Sequence, residues 1–174
     1  MEFYIVRHGR TNNNDLGIYN GCRSDEDLNA VGVAQAEQTR DALRDTALDL
    51  IVCSPLRRAK HTAAIIGEGR DLPVVYDERL RERDMGALTG KPFLKSQVGD
   101  ASAEYGVETI ESLCARVRAA LDDIRANYEG KRVLIVSHGV AAKAICAYFE
   151  GMPEDGTLRP IPLLDNCEVR KYSL

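Results

Sequence analysis

The chain has 174 residues, 44% of them hydrophobic and 29% charged, with a formal net charge of -4. That length favours one domain, residues 1–174, with a core large enough to need neither metal nor disulfide staples. The mildly acidic balance excludes bulk attraction to nucleic acid or to an anionic membrane, so any anion site must be local.

Residues 2–7 read as a buried strand that ends abruptly in Arg7-His8-Gly9. Residues 9–28 are polar and Gly-rich, hence loop, and the acidic run Ser24-Asp25-Glu26-Asp27 within them reads as solvated surface. Asn29 is a good N-cap for a helix whose apolar side carries Val33, Ala36 and Leu43 and which reaches about Asp45. Leu48 to Cys53 is a second apolar run. Ser54-Pro55 after it reads as a helix opening, with serine as cap, proline at the first helical position and a stop at Gly67. Leu72 to Tyr76 is a weaker third strand. Residues 77–91 are charged and Gly-punctuated, a surface loop or a cover over a site, and residues 92–106 have no determined conformation. Ile110, Leu113, Val117, Leu121 and Ile124 recur at helical spacing from Thr109 to Tyr128, closed by Gly130. Arg132 to Ser137 is another buried strand, followed by His138-Gly139, a helix over Val140 to Phe149, and an edge strand from Cys167 to Tyr172. Strands alternating with helices in this way predict a three-layer α/β/α sandwich with a mostly parallel central sheet.

Met1-Glu2-Phe3-Tyr4-Ile5-Val6-Arg7 has an acid where a signal peptide wants base, and no stretch is long enough to span a bilayer. The cysteines Cys22, Cys53, Cys114, Cys146 and Cys167 are odd in number, scattered, and without nearby ligand histidines. Zinc and a disulfide framework are therefore both poorly supported, and reduced thiols in a cytoplasmic protein are expected. Cys53 and Cys146 read as small buried apolar residues.

Three apolar runs end in chemically active residues: Arg7-His8-Gly9, Ser54 to Arg58, and Ser137-His138-Gly139. If the strands are parallel neighbours, these endings meet on one edge of the sheet. Two histidines and two arginines in one pocket repel without a guest, and a phosphoryl group is the guest they suit. Arginine offers it planar paired donors. The glycine after each histidine lets the backbone approach and leaves N–H groups to face an anion. A histidine here can bind, act as a base, or attack; attack needs a neutral ring with its other nitrogen tied to a partner such as a backbone carbonyl. A leaving alkoxide needs a proton, and Asp77, Glu78, Glu82 and Asp84 are candidate acids.

These segments resemble the histidine phosphatase superfamily, which includes cofactor-dependent phosphoglycerate mutases and many small phosphatases. Arg7-His8-Gly9-Arg10-Thr11 and Asn14 are similar to its R-H-G-x-[ST]-x-x-N signature. Leu28, Gly32 and Gln35-Ala36 resemble L-x-x-x-G-x-x-Q-A. Ser54-Pro55-Leu56-Arg57-Arg58-Ala59 with Thr62-Ala63 resembles S-x-L-x-R-A-x-x-T-A. Leu80, Glu82, Gly86 and Gly90 follow L-x-E-x-x-x-G-x-x-x-G, Gly106-Val107-Glu108-Thr109 echoes G-G-E-S, and Ser137-His138-Gly139 matches the second histidine. Six elements in order and register cover nearly the whole chain.

The resemblance implies that His8 is the nucleophile and forms a phosphohistidine. It implies that Arg7, Arg58 and His138 grip the phosphoryl oxygens with help from the Gly139 N–H, that Asn14 lines the pocket, and that Glu82 protonates the leaving group and then activates water. Asn20 and Gly21 fall where the mutases have a substrate-contacting segment; as a bare dipeptide they are also ordinary turn residues. No metal or cofactor is implied, because the arginines do the work of a cation. The expected partner is a small phosphorylated substrate, with no nucleic acid or membrane, and the chain is expected as a monomer or homodimer.

Arg10 adds a positive charge where many relatives have Glu or Gln, and Val107 replaces a glycine. Arg57 is expected to face solvent and His61 to be a structural or surface residue; Lys91 and Lys95 read as solvated. The segment after Glu82 is shorter than in a typical mutase, which favours hydrolysis over return of the phosphoryl group. Glu82 itself argues against the superfamily's phosphohistidine-protein phosphatases, which lack this acid. A mutase-type phosphotransferase and a non-catalytic phosphate-binding module are the alternatives.

Overall fold

The structure is a computed structural model and describes residues 1–93 and 103–174. Five strands, β1 (Glu2–Arg7), β2 (Leu50–Cys53), β3 (Val74–Tyr76), β4 (Arg132–Ser137) and β5 (Val169–Ser173), form one sheet in the order β3-β2-β4-β1-β5. All neighbouring pairs are parallel except β1 with the edge strand β5. The helices are α1 (Asn12–Asp15), α2 (Ala30–Ala42), α3 (Arg57–Gly67), α4 (Ile110–Asn127) and α5 (Gly139–Glu150).

Strand side chains alternate between the two faces, and both faces are covered. Phe3, Ile5, Val133 and Ile135 pack with Leu113, Leu121 and Ile145 of α4 and α5. Tyr4, Val6, Leu134 and Val136 pack with Leu43 behind α2 and with Ala59, Ala63 and Ile66 of α3. This burial on two sides explains why the central strands read as continuous apolar runs, and it makes the expected three-layer sandwich. The connection leaving β1 runs through α2 to one side of the sheet, and that leaving β4 runs through α5 to the other. β1 and β4 are neighbours, so the gap between their carboxyl ends is a topological switch point, where open α/β sheets bind ligands.

Four local readings need correction. The polar loop after Gly9 contains the one-turn α1, closed by a reciprocal capping box between Thr11 and Asn14. The helix before β2 stops at Ala42 rather than Asp45. Ser54 does not cap α3: the helix begins at Arg57, and its Arg57 N–H donates to Asp25 Oδ1 (2.7 Å). The acidic run is accordingly not free surface. Asp27 Oδ1 meets His61 Nδ1 (2.8 Å), Asp27 Oδ2 accepts from Arg57 NH2 (3.1 Å), and Glu26 accepts from the Asn13 N–H. The uncommitted segment 92–106 lies outside the described residues over 94–102, as does Lys95.

Candidate active site

The strand registers bring the three reactive endings together. Arg7 lies opposite Ser137, the His8 N–H donates to the Ser137 carbonyl (2.9 Å), and the Ser54 N–H donates to the Val136 carbonyl (3.0 Å). Arg7-His8, Ser54 and Ser137-His138 therefore share one edge, with α3 delivering Arg58 from below.

His8 is buried, and its Nδ1 is 2.7 Å from its neighbour's carbonyl, Gly9 O. A carbonyl can only accept, so Nδ1 carries the proton and Nε2 keeps a free lone pair. Burial, then the Arg58 and Arg7 charges, hold the imidazole well below its ordinary value of 6.5 despite the Gly9 bond, so the ring is neutral. Its carbonyl accepts from Asn166 Nδ2 (2.8 Å).

Arg7 NH1 donates to the Leu164 carbonyl (2.8 Å), while its Nε is buried with no partner among the described residues. Arg58 is fully buried; Nε donates to His138 Nδ1 (3.2 Å), NH1 to the Ser24 carbonyl (2.7 Å) and NH2 to the Gly21 carbonyl (2.9 Å). Three of five guanidinium N–H groups are used, which leaves two for a ligand. Burial lowers both arginines from the ordinary guanidinium value, and Glu82 is the foremost charge acting against this. Asp165 acts in the same direction on Arg7, and Glu26 and Asp25 on Arg58.

Glu82 sits at the amino end of α5. Its Oε1 accepts from the Arg83 (2.8 Å) and Ala141 (3.1 Å) N–H groups, and its Oε2 from the Val140 N–H (3.2 Å). The fourth lone-pair position, on Oε2, is left over. A Cβ placed on Gly139 would lie 3.6 Å from both that Oε2 and Arg7 Nε, so both groups border the glycine.

Some expected contacts take another form. His138 lies beside His8, ring centroids 5.2 Å apart, but both its nitrogens are engaged: Nδ1 accepts from Arg58, and Nε2 is 2.7 Å from Ser54 Oγ. His138 thereby joins Arg58 to Ser54 at the edge of the sheet. Burial, Arg58 and His8 keep this ring neutral too. The Gly9 N–H is not free for an anion, because it donates to Thr62 Oγ1 (3.0 Å); close packing against Gly32 is what bars a side chain there. Asn14 turns Oδ1 to the Thr11 N–H (3.2 Å). Asn20 is buried and braces Asn13, Ser24 and Thr11, and Gly21 contributes its carbonyl to Arg58 from a left-handed conformation (φ 56°). Both hold the wall of the site. Arg10 pairs with Asp15 of α1 and is near enough for its charge to act on Arg7.

Sequence reasoning gave no role to Ser54 as a ligand of His138, nor to Leu164 and Asn166. Thr62 stands in the matched motif but signals nothing by type; its hydroxyl accepts from Gly9 and donates to the Arg58 carbonyl (2.7 Å), tying α3 to the turn after β1. Among the described residues no group of His, Cys, Asp and Glu is arranged to hold a metal, and no helix is long and apolar enough to cross a membrane.

This geometry places a neutral, oriented imidazole near two guanidiniums and a carboxylate, an arrangement suited to phosphoryl transfer. The family description "histidine phosphatase superfamily (branch 1)" matches residues 3–174, and the chain belongs to that superfamily. It is 37% identical over 166 residues to the uncharacterized phosphatase PhoE of Bacillus subtilis, covering 94% of this chain and 83% of that protein. It is 33% identical over 184 residues to a probable phosphoglycerate mutase, GpmB, of an Enterobacter species, covering 98% and 84%. A mycobacterial glucosyl-3-phosphoglycerate phosphatase solved with VO3 superposes with a TM-score of 0.87 at 26% identity, covering 99% and 92%. The chain is thus an enzyme of the phosphatase type.

Proposed function

We propose that the protein hydrolyses a small phosphomonoester through a phosphohistidine on His8. His8 Nε2 attacks phosphorus as the ester P–O bond breaks. Arg7 Nε, the two spare Arg58 N–H groups and the Gly139 N–H bind the non-bridging oxygens, with the Asn14 amide at the rim. Glu82, taking up at its unfilled Oε2 position the proton that a phosphomonoester monoanion brings, delivers it to the leaving oxygen, and then takes one from the water that attacks the phosphohistidine. Phosphate leaves and His8 returns to its neutral state. Two guanidiniums supply the charge stabilisation that this transfer requires.

The observation that carries this reading is the single free nitrogen of His8, fixed by the 2.7 Å bond from Nδ1–H to the Gly9 carbonyl. A structural histidine has no need of a free Nε2 beside an unpaired buried guanidinium N–H. The acid role is tested by substrates of different leaving group. Glu82→Gln is expected to lower kcat on a primary alkyl phosphate by about 100-fold or more, a typical worth of general acid catalysis. Aryl phosphates, whose leaving groups need little protonation, should lose far less. Equal losses would count against Glu82 as the acid.

Relatives named as probable mutases, matched over 98% of the chain, keep a transferase reading in view. Isomerisation of a phosphoglycerate dependent on its bisphosphate would establish it; release of inorganic phosphate alone supports hydrolysis.

A further inference from the structure

Glu82 rides on a segment that has no sheet partner and only a 3₁₀ turn, Glu78–Leu80, ahead of it. Carbonyls shielded from water in such a segment, wholly or in part, need donors from elsewhere. Here four consecutive ones receive them from side chains. Ser137 Oγ donates to the Leu80 carbonyl (2.9 Å). The other three go to one residue, Arg116 of α4: NH1 donates to the Arg79 (2.6 Å) and Arg81 (2.8 Å) carbonyls, and NH2 to the Glu82 carbonyl (3.1 Å).

The remaining Arg116 donors are committed as well. Nε and NH2 meet the Glu108 carboxylate side-on, at 2.7 and 2.9 Å, so all five guanidinium N–H groups are used. Glu108 then holds the chain beyond Glu82. Its Oε2 accepts from the Asp84 N–H (3.2 Å), its own N–H donates to the Asp84 carbonyl (2.8 Å), and its carbonyl accepts from Arg83 Nε (2.7 Å). Glu82 is bracketed on both sides by one ion pair that never touches its carboxylate.

We propose that Arg116 and Glu108 are positioning residues for the acid step, holding the Glu82 backbone so that its carboxylate stays on the Val140 and Ala141 N–H groups and its free Oε2 position faces the leaving oxygen. A lysine could not replace Arg116, because a point-like ammonium cannot span three carbonyls and a carboxylate. The inference rests on the acid role of Glu82, so its test needs one readout that depends on that role and one that does not.

Arg116→Gln and the milder Glu108→Gln, each alone and combined with Glu82→Gln, are assayed on an alkyl and an aryl phosphate. Amide hydrogen exchange at Val140 and Ala141 is followed in parallel. The expected loss on the alkyl ester is about 10- to 100-fold, the cost of a small misplacement of a reacting group, with less than about threefold on the aryl ester. No further loss is expected in the Glu82→Gln background, and the two amides should exchange faster relative to the β4 core. Equal losses on both esters, losses that multiply with Glu82→Gln, or unchanged exchange at both amides would overturn the proposal. Should Glu82→Gln itself spare the alkyl ester, the acid role fails, and the exchange data alone decide whether the clasp positions this carboxylate. Glu108→Gln carries the test if Arg116→Gln does not fold.

Discussion

His8 shows how much chemistry a few contacts impose on one side chain. A carbonyl 2.7 Å from Nδ1 chooses the tautomer, while burial and two nearby guanidiniums choose the protonation state. His138 is neutral for the same reasons. This has a thermodynamic consequence. In the unfolded chain both imidazoles take up protons near pH 6.5, and in the folded chain they refuse them until lower pH. The unfolded state therefore binds more protons below 6.5, and stability falls as pH is lowered through that window, by up to about 1.4 kcal/mol per pH unit for each ring. Urea midpoints measured from pH 8 to pH 5 should be level above 6.5 and decline below it; a midpoint that rises on acidification would contradict the burial of neutral rings. At this scale Arg7, His8 and His138 stood out because reactive residues end apolar runs, whereas only the family resemblance chose Arg58 over Arg57 and Glu82 among its neighbouring carboxylates. Ser54 did not stand out: before a proline a serine reads as a helix cap, and only the third dimension reveals that its hydroxyl meets a histidine 84 positions away.

Elements were legible wherever periodicity or capping speaks locally. The apolar runs gave the strands, Asn29 and Thr109 cap α2 and α4, and the 3.6-residue spacing of Leu113, Val117, Leu121 and Ile124 marked the buried side of α4. The acidic run 24–27 misled because charge suggests solvent, whereas here it supplies acceptors to the amino end of α3 and to His61. How elements are coupled is invisible in such patterns. Thr62 illustrates it, joining α3 to the turn after β1 through one hydroxyl. Thr62→Val keeps the shape and removes the acceptor, leaving the buried Gly9 N–H unpaired. The expected cost is about 1–3 kcal/mol, read as a lower denaturation midpoint with an unchanged slope. A midpoint equal to that of the unaltered chain would show that the bond is not needed to hold the turn after β1.

On the scale of the whole molecule, function follows from topology. Strand order β3-β2-β4-β1-β5 makes neighbours of β1 and β4, whose ends are 130 residues apart in register between Arg7 and Ser137, and opens a crevice where their connections part. Alternating strands and helices announce a sheet, but not which strands adjoin; the repeated histidine-glycine endings were what suggested that these two do. Segments far along the chain then close the site: Leu164 and Asn166 from the C-terminal turn, and Glu82 held against α5. The central claim is that this assembly makes His8 a covalent carrier. Rapid mixing with a substrate labelled in its phosphoryl group, quenching in alkali and peptide mapping tests it directly. The expected result is transient label on the peptide containing His8, stable to alkali, labile to acid and absent from His8→Ala. Steady release of phosphate with no labelled peptide at any time, or label on His138 instead, would contradict it.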